Sequence, residues 1–125
     1  MLSNAELNES DLPTVSVEFT PEFKRNVRTL AKSYRSIRSD VEPFIKQLQD
    51  GETPGDQIPR VDYTVYKARL GNSDAQKRKR GGYRVIYYLK TPSTIILVTI
   101  YSKLEQGDIS PEAIQNAIEE CRHPL

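Results

Sequence analysis

The chain has 125 residues, 37% hydrophobic and 28% charged, with a formal net charge of +1 and a single cysteine, Cys121. That is the size of one ordinary domain, able to bury roughly two thirds of its unfolded surface in one core, and one cysteine excludes an internal disulfide. The charge is uneven: residues 60–90 hold nine Lys or Arg against Asp62 and Asp74, a balance of +7, while the rest of the chain stands at −6.

Residues 1–13 are polar and acidic, lack periodicity and end in Pro13, so they read as a mobile arm ahead of a single domain over residues 14–120, with residues 121–125 as a tail. Val15, Val17 and Phe19 alternate with Ser16 and Glu18, the period-two pattern of a strand with one buried face. Thr20, Pro21 and Glu22 then supply a capping oxygen, a proline at the first helical position and an acid at the positive helix end. Phe23, Val27, Leu30, Ala31 and Tyr34 form the apolar stripe of this helix.

Ser39-Asp40-Val41-Glu42 has the S-x-x-E form of a capping box, so a second helix is expected to begin there, with Ile37, Val41, Phe44, Ile45 and Leu48 as its stripe and Gly51 as its stop. After the loop Thr53-Pro54-Gly55-Asp56 the period changes from 3.6 to 2. Three strands follow, Asp62 to Leu70, Tyr83 to Lys90 and Thr94 to Ser102, rich in Val, Ile, Tyr and Thr. The short connection Thr91-Pro92-Ser93 makes the last two antiparallel. Asp108 or Ser110 as cap, Pro111, and the apolar side Ala113, Ile114, Ala117 and Ile118 signal a final helix. The predicted fold is α+β in the order β-α-α-β-β-β-α, with two N-terminal helices packed on a twisted antiparallel sheet.

Absences narrow the chemistry. The only histidine is His123, and there is no CxxC, HExxH, GxGxxG or P-loop, so zinc, dinucleotide and nucleotide readings lack residues, and neither a cofactor nor a metal is expected. The apolar run Ile95 to Val98 is too short for a membrane span, and MLSNAELNESDLP has neither the basic start nor the apolar stretch of a secretory signal, so a cytoplasmic location is expected.

Alternation places Lys67 and Arg69 on one face of their strand, with Tyr66, Ala68 and Leu70 on the other. Arg84 shares a face with Ile86 and Tyr88 on the partner strand, and antiparallel pairing can bring it beside the first two cations. Two readings stand at this point: a solvated outer face, or three cations gathered for an anion. Lys77-Arg78-Lys79-Arg80 before Gly81-Gly82 is either a solvated loop or a phosphate contact. Tyr83, Tyr87, Tyr88 and Tyr101 could stack on bases or pack in the core.

The segments YKARL, KRGGYRVIYYL and LVTIYSKLEQGDIS closely resemble the RelE/ParE superfamily of bacterial toxins, particularly RelE-like and HigB-like toxins of type II toxin–antitoxin systems. The resemblance runs from about Val15 to Ile118. It implies a small α+β protein that cuts mRNA in the ribosomal A site without metal, inhibits translation, and has as partners the ribosome, mRNA and a cognate antitoxin, of helix-turn-helix type and encoded beside it. The family's basic catalytic cluster falls on Lys67, Arg69 and Arg84. Its C-terminal Arg and Tyr fall on Leu104 and Ser110, where neither type is kept; Lys103, with Tyr101 or Tyr88, stands nearest to replace them. Lys77, Arg78, Lys79 and Arg80 would hold ribosomal RNA.

In such a mechanism the RNA 2′-hydroxyl attacks its own phosphate, and clustered cations stabilise the developing charge, by ~3 kcal/mol per well-placed donor. A free Lys titrates near about 10.4, so Lys67 serves as base only if Arg69 and Arg84 depress that value. Two alternatives accompany this expectation: a ParE-like, non-enzymatic gyrase inhibitor, and an RNA- or ribosome-binding module whose catalysis has lapsed.

Overall fold

The computed structural model describes residues 14–75 and 82–122; the N-terminal arm, the basic loop residues Lys77 to Arg80, and His123 with the end of the tail lie outside the described residues. The elements run β1 (Ser16–Phe19), α1 (Pro21–Leu30), α2 (Ile37–Gln49), β2 (Asp56–Gln57), β3 (Val65–Leu70), β4 (Tyr83–Thr91), β5 (Thr94–Ser102) and α3 (Pro111–Arg122). Among the described residues this is an α+β fold of three helices and a five-stranded sheet ordered β1-β5-β4-β3-β2.

Two features depart from the expected topology. The sheet is mixed rather than antiparallel, because β1 lies parallel to β5, pairing Ser16 with Thr94 and Phe19 with Leu97. The direction of a strand whose partner is almost eighty residues away is set by no turn, so it leaves no local sequence signal. The second departure is β2, two polar residues that pair with Lys67 and Tyr66 of β3 and make the order β-α-α-β-β-β-β-α. So short a strand has no periodicity of its own.

Helix α1 starts as its residues dictate: the Thr20 hydroxyl accepts from the Phe23 N–H at 2.9 Å, and Pro21 occupies the first turn. Helix α2 starts earlier than the capping box predicts. Ser36 is its N-cap, and the Asp74 carboxylate accepts both the Ser36 N–H at 2.7 Å and its hydroxyl at 3.1 Å. An acid from the β3–β4 connection thus serves the positive helix end in place of Ser39 and Glu42. The earlier start also puts Pro43 inside α2, where it has no N–H to offer the Ser39 carbonyl. Gly51, at φ 93°, ends the helix as expected.

The two faces of the sheet carry separate cores. Tyr83, Val85 and Tyr87 of β4 point toward α1 and α2, packing with Phe23, Ile37, Phe44 and Leu48. Ile86 and Tyr88 point the other way, beneath Ile114 and Ile118 of α3. Full burial of each such side chain contributes about 1.5–3 kcal/mol. Helix α3 is capped by the Ser110 hydroxyl, which accepts from the Ala113 N–H at 3.1 Å, and it runs to Arg122, past the limit of 120 expected for the domain.

The β4–β5 ladder slips by one residue, since Ile86 pairs with Thr99 and Tyr87 with Leu97. This bulge moves the alternation of β5 by one, so that Ile100 faces α1 and α2 while Tyr101 lies on the α3 side, opposite Arg84. Side chains from the start of the chain hold it. The Thr20 hydroxyl donates to the Val98 carbonyl at 2.7 Å, and the Asn26 carbonyl oxygen accepts from the Thr99 hydroxyl at 2.9 Å. Among the described residues no helix is long and apolar enough to cross a membrane.

Candidate nucleic-acid cleft

Register brings the predicted cations together. Arg69 lies directly across from Arg84 in the β3–β4 ladder, and Lys67 is two residues away on the same face. All three line one cleft of about 400 Å³, and Lys103, just past the end of β5, lines it too. The four residues expected to carry the chemistry are therefore neighbours. A pair of Arg placed directly opposite one another across two strands is unfavourable unless an anion lies between or above them.

The cleft has a built floor. Arg84 is 8% exposed, rising from the middle strand of the β3-β4-β5 group, and its Nη1 reaches the Tyr83 carbonyl at 3.4 Å. One wall is the loop Pro54-Gly55-Asp56. Gly55 has φ 99°, and a Cβ there would drive into the Lys67 carbonyl and come within 2.9 Å of the Ala68 Cα, so only glycine lets this loop lie against β3. The Tyr87 hydroxyl ties the loop down from the other side of the sheet, donating to the Pro54 carbonyl at 2.5 Å.

The opposite wall adds a carboxylate that the sequence offered only as a possible helix cap. Asp108 Oδ1 lies 3.1 Å from Lys103 Nζ and 3.4 Å from Lys67 Nζ, and it accepts from the Tyr101 hydroxyl at 3.4 Å. The hydrogen bond from Lys103, then the charge of Lys67, holds the Asp108 carboxyl below its ordinary range. Burial, followed by the Asp108 charge, pushes the Tyr101 phenol upward, so its proton stays on at neutral pH. Lys67 is thus not crowded by cations alone, as the base hypothesis required; it has an anion at 3.4 Å.

Other expected site residues are placed elsewhere. Tyr88 is 2% exposed and packs its ring 5.8 Å from that of Tyr63, while Tyr101 is 4% exposed. Neither leaves a ring face for a base; Tyr101 contributes its hydroxyl instead. Leu104 is 45% exposed and does not line the cleft, and Ser110 caps α3. Lys77, Arg78, Lys79 and Arg80 lie outside the described residues.

Four cations and two carboxylates, Asp56 and Asp108, line the cleft. Among the described residues no three His, Cys, Asp or Glu gather to hold a metal ion. The arrangement suits a phosphate group: two guanidinium and two ammonium groups line the cleft, and the Tyr101 hydroxyl donates to Asp108 on its wall. A second hollow of about 440 Å³ beside α1 and α2 is lined by Phe19, Phe23, Val27, Val41 and Ile45, with Lys24, Arg28, Arg38 and Glu42 also on its walls. No family model matches the chain, and no curated protein matches it.

Proposed function

We propose that this protein is a metal-independent endoribonuclease of the RelE-like or HigB-like kind, the toxin of a type II toxin–antitoxin pair, acting on mRNA in the ribosome. The observation that carries the reading is the gathering of Lys67, Arg69, Arg84 and Lys103 around one cleft, with Arg69 and Arg84 directly opposed. In the reaction the 2′-oxygen bonds to the adjacent phosphorus, the P–O5′ bond breaks, and a 2′,3′-cyclic phosphate forms. The 2′-hydroxyl proton passes to a base and a second proton reaches the 5′-oxygen.

Arg84 is the stabiliser of the phosphorane charge, because its guanidinium is held in place by the sheet. Lys67 or Arg69 clamps the phosphate, Lys67 takes the proton only once Asp108 has left its side, and Lys103 protonates the leaving oxygen. Among the described residues the walls carry no histidine, so the acid–base work falls to groups that do it modestly near neutral pH. The ribosome supplies the missing part by holding the 2′-hydroxyl in line. The reading includes a cytoplasmic location and a neutralising antitoxin encoded beside this chain.

A second reading is favoured by two positions. Leu104 and Ser110 stand where the resemblance expects an Arg and a Tyr, and in this fold one is a surface residue and the other a helix cap. A protein that binds ribosomal RNA without cutting fits those facts. The test is to dialyse the purified protein against EDTA, add it to ribosomes stalled on a defined mRNA in the magnesium buffer that keeps them intact, and map the 5′ ends. Cleavage within the A-site codon, lost in Arg84→Ala, is the expected result. Intact mRNA with ribosome binding supports the binding module, and intact mRNA with gyrase poisoning in cells supports a ParE-like inhibitor.

A further inference from the structure

Resting on the reading of this cleft as a phosphodiester site, we propose that Asp108 is a built-in counter-ion: its Oδ1 sits where a non-bridging phosphate oxygen of RNA binds, and RNA enters by displacing it from Lys67, Lys103 and Tyr101. Three donors converge on that single oxygen, two ammonium groups at 3.1 and 3.4 Å and the Tyr101 hydroxyl at 3.4 Å. An oxygen so surrounded has the environment a phosphate oxygen seeks. The donors reach it from separate parts of the sheet, Lys67 from β3, Tyr101 from β5 and Lys103 from just beyond β5.

Asp108 is suited to leave. It belongs to the irregular stretch between β5 and α3, and 56% of its side chain is exposed. Ion pairs so exposed are weak. It is not the cap of α3, which Ser110 provides, so its departure leaves the helix start intact. A carboxylate and a phosphate cannot share one position, since their like charges repel. The same cleft therefore has two states, one closed on its own acid and one open to RNA.

The experiment uses the full-length chain and a short single-stranded RNA with 2′-O-methyl riboses, which can bind but cannot be cut, followed by fluorescence anisotropy across a salt series. Asp108→Asn is expected to bind about threefold to tenfold more tightly than the parent, with a log–log salt slope steeper by about 0.7. In a Lys103→Ala background the gain from Asp108→Asn should shrink. Asp108→Ser, which removes the same charge, should reproduce the gain. Equal or weaker binding in both Asp108 variants, with unchanged circular dichroism, overturns the proposal.

The probe separates this inference from the nuclease reading. Tighter binding by Asp108→Asn beside a parent protein that cuts no mRNA leaves the counter-ion standing and removes the nuclease. A parent that cuts, with binding indifferent to Asp108, does the reverse. No binding by any of the proteins overturns the counter-ion and leaves the nuclease reading to be decided by the ribosome assay.

Discussion

Alternate residues of the same strands build the two faces of the sheet, yet α1 and α2 cover one face, while α3 covers only part of the other. On β4 the contrast is between Tyr83, Val85 and Tyr87, sealed beneath the first two helices, and Arg84, Ile86 and Tyr88, of which only the last two lie under α3. The difference shows how a small fold makes a site: it closes one face for stability and leaves one end of the other open, where cations can stand on a rigid base. A period-two pattern then serves both purposes at once, since stepping along a strand alternates between core and cleft.

Breaking the closed face should give the largest effect. Leu97→Ala, at a fully buried position, is expected to cost about 2–5 kcal/mol of stability, measured by urea denaturation with its midpoint and slope. Loss of activity in that variant should only follow its unfolding. Breaking the open face should do the opposite. Arg84→Gln should lower the rate of ribosome-dependent cleavage on the order of hundredfold, the size of one well-placed charge-stabilising donor, while the cleft mouth keeps its shape. A folded Arg84→Gln protein that cuts at the parental rate would remove Arg84 from the chemistry.

A smaller change links the faces. Asn26→Ala takes away the acceptor that holds Thr99 at the bulge and should cost about 1 kcal/mol, seen as a shift in the denaturation midpoint. Because the bulge sets the phase of Tyr101 and Lys103, cleavage should fall by more than the stability change explains. The subtlest test is electrostatic. Asp108 has its folded carboxyl midpoint lowered by Lys103 and Lys67, so whatever stability its pairs contribute is present above the ordinary carboxylate range and fades as pH falls through the lowered midpoint. Carbon-detected NMR titration should find that midpoint below the usual Asp value, and Lys103→Ala should raise it. An Asp108 midpoint indifferent to Lys103 would mean that the two do not meet in solution.

Local rules of sequence recover much of this molecule. Thr20-Pro21 starts a helix because one side chain and one ring suffice to define the turn. Lys67 and Arg69 are assigned to a shared face because strand alternation depends on nothing beyond the strand itself, whereas Arg84 joins them through the β3–β4 register. What escaped depends on distant partners. The Ser39–Glu42 box gives way to Ser36 as the helix start, where Asp74, from another connection, accepts the Ser36 N–H. The bulge that turns Tyr101 and Lys103 toward the cleft is stabilised by Thr20 and Asn26, more than seventy residues away. Asp108 reads as a cap in sequence, since an acid shortly before a proline and an apolar stripe has that look; only the fold brings Lys67 to it.

The parallel pairing of β1 with β5 has a consequence for how the chain assembles. β3, β4 and β5 form a meander, β4 and β5 joined by a tight turn and β3 and β4 by the twelve residues from Gly71 to Gly82, whereas β1 must close a loop spanning most of the sequence to reach its place at the edge. Loop closure of that length opposes early pairing. The meander bearing the cations can therefore organise first, and the amides of β1 should exchange with deuterium sooner than those of β4.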